Sequence, residues 1–311
     1  MKSKADIRMR GFLKRTPVKT LLALIKEHSQ LLSSEEILTV EASGRILAQE
    51  IISTVNVPNF DRSAMDGYAL HAESTFGASI YNPLMFSIVG QVTPGERYEA
   101  EVLSGEALSI MTGGPLPKGA NAVLMAENAE LVGDQIQVID AVSPGKHVGL
   151  IGEDIKRNQS ILNKARFLRP QDIGVLASIG LKSVKVVRKP EVELLITGNE
   201  LLKPGEQAGG VKIIDSNSVM LSPLIKRDGG LLKAVHHLPD DRDLLRKHLS
   251  ESSADLIIVT GGTSVGIEDH GPILLDELGE LLVHGIPMRP AAPTGFGLIS
   301  GKSGGVAKKV F

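Results

Sequence analysis

A multidomain α/β-plus-β protein is what this sequence predicts, on three observations. From Glu191 onward, short apolar runs alternate with amphipathic stretches. Leu194–Thr197, Leu231–His236, Leu256–Val259 and Leu281–His284 read as strands, with helices over 216–228, 240–249 and 272–278. That order predicts a doubly wound parallel sheet, its strands buried on both faces. Between Tyr68 and Ile139 the texture is instead β, with Phe86–Val89, Ala107–Met111, Ala122–Met125 and Gln135–Ile139 separated by Gly- and Pro-rich turns. Such spacing suggests a small barrel or sandwich. Finally, 311 residues exceed one ordinary domain. The expected division is an elongated helical and linker region from 8–53 and 144–188, an inserted β-rich domain over 54–143, and an α/β domain over 189–311.

In chain order, Thr16-Pro17 reads as N-cap and first residue of a helix whose apolar face is Leu21, Leu22, Leu24, Ile25 and Leu32. Ala42, Ile46 and Leu47 keep helical spacing over 40–52. Asp61-Arg62-Ser63-Ala64-Met65-Asp66-Gly67-Tyr68 then crowds charges and a turn signal into one stretch, too polar for a connector, with Met65 and Tyr68 expected in the core. Met111-Thr112-Gly113-Gly114-Pro115 forms a stiff Gly/Pro loop inside the β region. A helix from Pro170 to Ile179 stops at Gly180, and Lys182–Arg188 alternates like an edge strand. Ser216 or Asn217 caps the helix over 216–228, and Asp240 or Asp241 the next one.

Composition narrows the function. Net charge is −2 and aromatic residues make up 3%, which argues against a nucleic-acid partner. No apolar run reaches the ~18 residues of a membrane helix, and the basic N-terminus has no signal-peptide core, so a cytoplasmic protein is expected. Cysteine is absent, which excludes thiolate metal sites and cysteine nucleophiles. No Ser, His and Asp arrangement suggests covalent catalysis, and His236 and His237 read as strand or surface residues.

Ligands of open α/β sheets bind beyond the carboxyl ends of the strands. The four predicted strands run into Thr197-Gly198-Asn199-Glu200, Pro239-Asp240-Asp241, Thr260-Gly261-Gly262-Thr263-Ser264-Val265-Gly266 with Asp269, and Pro287-Met288-Arg289. Glycine-rich amides suit an oxyanion, and carboxylates beside them suit a bridging Mg²⁺. Each also has a plainer reading: Asp269, Asp240 and Asp241 as caps, Glu200 as a cap of the next segment, Thr112 as a strand-end hydroxyl, Asp66 as a turn former and Arg289 as a surface charge. Their convergence on one rim is what suggests Mg²⁺-assisted handling of a phosphorylated substrate.

Five stretches carry a family resemblance: Asp61–Ala69, Met111–Pro115, Gly152-Glu153-Asp154-Ile155, Thr197–Leu201 and Gly261–Gly266. In this order they resemble the MoeA-type molybdopterin molybdenumtransferases, relatives of the gephyrin E domain. The resemblance implies a molybdopterin-binding α/β domain and a reaction of molybdenum-cofactor biosynthesis. Adenylylated molybdopterin and molybdate are the substrates, Mg²⁺ assists, AMP leaves, and molybdenum ends on the dithiolene sulfurs. It also implies catalytic roles for Asp66, Thr112, Glu200 and Asp269. Metal ligands would come from Glu200, Asp240, Asp241 and Asp269, and pterin or phosphate contacts from Gly261, Gly262, Thr263, Ser264, Gly266 and Arg289. Asp154 is a further contributor. The implied assembly is a homodimer with one subunit's β domain over the other's α/β domain, and other pathway enzymes are possible partners. Two departures stand out. Ala292 replaces a basic residue of the family's pattern, and the chain ends at Lys308–Phe311, where the family continues into a further β domain. That ending is expected to leave a sheet edge exposed. The alternatives are a molybdopterin-binding or scaffold protein of the same family without full insertion activity, and the neighbouring adenylylation step.

Overall fold

A computed structural model describes residues 15–261 and 270–299, and the backbone of 308–310. Two compact units emerge, 36–185 and 186–311 together with the N-terminal 35 residues.

Helix α1 (Val18–Glu27) belongs to the second unit. Pro17 lies outside it as N-cap with ψ 140°, so the helix starts one residue later than Thr16-Pro17 predicts. The Thr16 N–H donates to the Gly285 carbonyl (2.9 Å), and Leu21 packs with Val283, Ile286 and Phe296. The apolar face of α1 thus covers the α/β unit, not the segment near 144–188 with which it was grouped.

In the 36–185 unit, the helical spacing over 40–52 yields no α-helix. Thr39–Glu41 makes one 3₁₀ turn, and Gly44 follows at φ 78°. Ile46–Leu47 and Ile51–Ile52 are then extended, the latter pairing with Ser160–Leu162. Competition from pairing with 160–168 outweighs the local periodicity: Leu47 N–H donates to Arg166 O and Leu168 N–H to Arg45 O, each at 2.8 Å. Ser183–Val187 lies in the middle of a three-stranded sheet, not at its edge, with Lys185 directed to solvent between buried Val184 and Val186.

The β region forms one six-stranded mixed sheet. Its strands are β1 (Gly67–Leu70), β2 (Leu84–Val92), β3 (Glu106–Ile110), β4 (Ala122–Met125), β5 (Ala129–Val132) and β6 (Gln135–Val138). The order is β4-β1-β3-β2-β6-β5, with only β2 and β3 parallel. Neighbouring side chains point to opposite faces. Leu70, Ala107, Leu124 and Ile136 accordingly build one core, and Ala69, Leu108, Val123 and Ile110 another. Helix α2 (Pro170–Ser178) follows the sheet in the chain.

The second unit holds β7 (Glu191–Thr197), α3 (Asn217–Arg227), β8 (Leu231–Leu238), α4 (Arg242–Glu251), β9 (Leu256–Thr260), α5 (Gly271–Leu278), β10 (Gly279–His284), β11 (Gly295–Ile299) and β12 (Lys308–Val310). Sheet order is β8-β7-β9-β12-β11-β10. β8, β7, β9 and β12 are parallel, while β11 runs against both neighbours, so the sheet is mixed and not wholly parallel. β12 lies inside the sheet, which corrects the expectation of an open edge there. Double winding holds. α4 and α5 cover one face through Leu245, Leu249, Leu274 and Leu275, and α3 covers the other through Ile225 and Leu221. Each fully buried leucine contributes roughly 1.5–3 kcal/mol of apolar transfer.

Candidate functional site

In the 36–185 unit, two motif loops are laced together. Ser63 N–H donates to Gly114 O (2.9 Å), Gly113 N–H to Ser63 O (2.8 Å) and Leu116 N–H to Asp61 O (2.9 Å). Gly113 has φ 85°, which a side chain would disfavour. Gly67 is required by contact: a Cβ there would lie 1.9 Å from the Leu124 carbonyl oxygen. This frame presents Asp66. One of its carboxylate oxygens accepts from Thr112 N–H (2.7 Å) and from the Thr112 hydroxyl (2.9 Å). Those bonds, the backbone one foremost, hold Asp66 below the usual carboxylate range.

The Gly152–Ile155 motif joins the same surface. Arg62 contacts Glu153 at 3.3 Å and Asp154 at 3.7 Å, and Asp61 accepts from Ile151 N–H (2.7 Å). Around this polar group Met65, Met111, Leu150 and Ile151 are 43–57% exposed. Met65 is therefore a surface residue, because the loop that fixes Asp66 turns it outward, whereas Tyr68 packs against the core as expected.

The second group lies at the carboxyl ends of β8, β7 and β9. Because these strands are adjacent and parallel, Thr197, Leu238 and Thr260 end on one rim. Asn199 and Asp240 lock two strand ends: Asn199 N–H donates to Asp240 Oδ2 (2.8 Å), and Asp240 N–H to Asn199 Oδ1 (3.2 Å). Asp241 caps α4 by accepting from Leu244 N–H (2.8 Å). Gly198, at φ 155°, leaves room for the Glu200 carboxylate, whose oxygens would lie 2.8 and 3.0 Å from a Cβ there. Gly261 abuts the Thr197 carbonyl, 2.0 Å from where its Cβ would sit.

Gly262, Thr263, Ser264, Gly266 and Asp269 lie outside the described residues. Among the described ones, no group of three His, Asp or Glu side chains is arranged to hold a metal ion. Arg289 is exposed, five residues beyond the end of β10, a strand three positions from β9 in the sheet. Because β11 runs against both β12 and β10, β10 is parallel to β9 and its carboxyl end lies on the same edge of the sheet. Neither the reciprocal Asn199–Asp240 bonds nor the Arg62–Glu153 pair is foreseen in the sequence, since each joins residues far apart in the chain.

Comparison with known proteins is decisive for family. Residues 16–180 match the model described as MoeA N-terminal region (domain I and II). The chain belongs to the MoeA family. Residues 193–311 match a second model, the probable molybdopterin binding domain. This MoeA-family chain is 39% identical over 279 residues to a putative molybdopterin biosynthesis protein of Methanocaldococcus jannaschii, covering 86% of this chain and 68% of that protein. It is 32% identical to the molybdopterin molybdenumtransferase of Staphylococcus epidermidis, covering 93% and 70%. Identity to the Haemophilus influenzae enzyme of the same name is 34%, covering 83% and 63%. In structure it resembles the molybdopterin biosynthesis MoeA protein of Pyrococcus horikoshii, with TM-score 0.81, 34% identity, and 96% and 74% of the two chains covered. No helix among the described residues is long and apolar enough to cross a membrane.

Proposed function

We propose that this chain is a molybdopterin molybdenumtransferase, transferring molybdenum from molybdate to adenylylated molybdopterin with release of AMP. The observation that carries the reading is Asp66, ionised and fixed by Thr112 on a laced, solvent-facing frame built from three family motifs. A carboxylate so held is preorganised and needs no reorientation when a ligand arrives. Glu200 and the Asn199–Asp240 pair supply the corresponding group on the α/β unit. The chemistry suits a chain without cysteine, because the sulfur ligands of molybdenum belong to the substrate.

Mg²⁺ commonly takes one or two carboxylates together with water and phosphate oxygens. Glu200, Asp269 and the second carboxylate oxygens of Asp240 and Asp241 fit that donor set, the first oxygen of Asp240 being used by Asn199 and that of Asp241 by the cap of α4. When bound there, the ion would neutralise charge on the substrate phosphates. Arg289, following β10 on the same edge of the sheet, suits an anionic part of the substrate. A homodimer is part of the proposal, with Met65, Met111, Leu150 and Ile151 of the 36–185 unit facing a second copy.

The test is incubation of the purified protein with adenylylated molybdopterin, molybdate and Mg²⁺. AMP release with molybdenum bound to the pterin is expected, reduced on the order of tenfold to a hundredfold in Asp66→Ala. Pterin binding without AMP release would replace the enzyme reading by a binding module.

A further inference from the structure

Glu200 leads into an excursion of the chain, residues 198–215, that the sheet itself does not hold. Residues 203–214 are all exposed. Two short parallel stretches, Leu201–Leu202 and Ile213–Ile214, close its base. Ile213 N–H donates to Glu200 O (3.0 Å), and Asp215 N–H to Leu202 O (2.9 Å). The near end of this base is held by the Asn199–Asp240 bonds and by Leu201, which packs beside Val192, Leu194 and Ile196; its far end is tied to the fold by the Asp215 side chain, 1% exposed. Its carboxylate accepts from Ser218 N–H (3.0 Å), from the Ser218 hydroxyl and from His237 Nε2 (2.8 Å). Ser218 lies in the first turn of α3 and His237 in β8, next to the strand that delivers Glu200. Burial pushes the Asp215 carboxyl up, but the bonds from Ser218 and His237 outweigh it and keep it ionised.

We infer that Asp215, held by His237 and Ser218, is the tether that positions Glu200, which makes His237 a positioning residue for the reaction without contact to substrate. The inference rests on the proposed role of Glu200. The geometry favours it because His237 aims a ring nitrogen at a carboxylate that is 1% exposed and that closes the far end of the excursion. A charge-assisted bond to a buried acceptor is among the stronger single bonds in a fold. Its loss would free the base of the excursion while the sheet stays closed.

The experiment compares wild type, His237→Leu and His237→Gln in the full chain. Glutamine can place an amide nitrogen near the position of Nε2. Hydrogen exchange in peptides spanning 200–216 should be roughly tenfold to a hundredfold faster in His237→Leu, unchanged elsewhere, and near wild type in His237→Gln. In the insertion assay, kcat should fall roughly tenfold in His237→Leu with KM little changed, and recover in His237→Gln. Unchanged exchange in His237→Leu, or faster exchange throughout the chain, overturns the tether. So does equal impairment of both variants in kcat. If wild type itself releases no AMP, the proposed function fails, yet the exchange comparison still decides the tether.

Discussion

The two units fix their candidate carboxylates in contrasting ways. In the 36–185 unit, Asp66 sits on two loops bonded to each other through their backbones, and Thr112 holds it twice. In the α/β unit, Glu200 stands at the mouth of an exposed excursion held by side chains, with Asn199–Asp240 at its near end and one buried aspartate at its far end. A backbone-laced frame loses little when one side chain changes. A frame held by a few side-chain bonds is open to modulation by a single residue. The first unit should therefore be broken by backbone insults and the second by side-chain ones.

The largest effect is expected from Gly67→Ala. Its methyl group meets the Leu124 carbonyl at the end of the β1–β4 ladder, so a loss of about 3 kcal/mol is predicted, read as a lowered denaturation midpoint. Asp172→Ala comes next. This carboxylate, 6% exposed, accepts from Arg166 (2.8 Å), the Arg169 side chain (3.2 Å) and Arg169 N–H (3.0 Å). Because both arginines reach solvent and can rehydrate, about 2 kcal/mol is expected, less than for a fully buried pair.

Acid should act on both units together. Hydrogen bonds from Arg166 and Arg169 hold Asp172 well below the usual range. Burial raises Asp255, but its bonds from Arg188 and Glu191 N–H outweigh that and lower it. Depressed folded values give stability that is present above the unfolded value, near about 3.9, and is lost progressively as pH falls from there through the folded values. The melting temperature should thus drop below about pH 4, with a shallower acid limb in Asp172→Asn. A smaller effect is expected from Thr112→Ala, which removes the hydroxyl and keeps the dominant backbone bond. The Asp66 titration followed by NMR should move part of the way back up, and Thr112→Ser should restore it. Smallest of all, Val211→Ser at an 88% exposed site should leave stability within about 0.5 kcal/mol.

The contrast also explains what the sequence disclosed. The β-α-β half was legible because its strands are short apolar runs bounded by turn residues, as in Leu256–Thr260. β11 was missed because Gly295-Phe296-Gly297 has little β propensity and is held by pairing with β10 and β12. The helical spacing of Ala42, Ile46 and Leu47 misled because partners more than a hundred residues away capture that backbone. Around the candidate site, Asp66 and Thr112 could be named from their motifs, and their contact follows from the loops pairing. The Asp215–His237 bond was hidden, since its members are 22 residues apart and neither belongs to a catalytic pattern. Asp215 three residues before Ser218 is a helix-start signal, which in retrospect was the available clue.

One consequence of the exposed stretch after Glu200 is experimental. The chain contains no cysteine, so a single Gln207→Cys change would create its sole thiol, on a segment with no packing to disturb. A fluorophore or spin label attached there would report, without background, how that segment responds as a pterin arrives at the neighbouring rim.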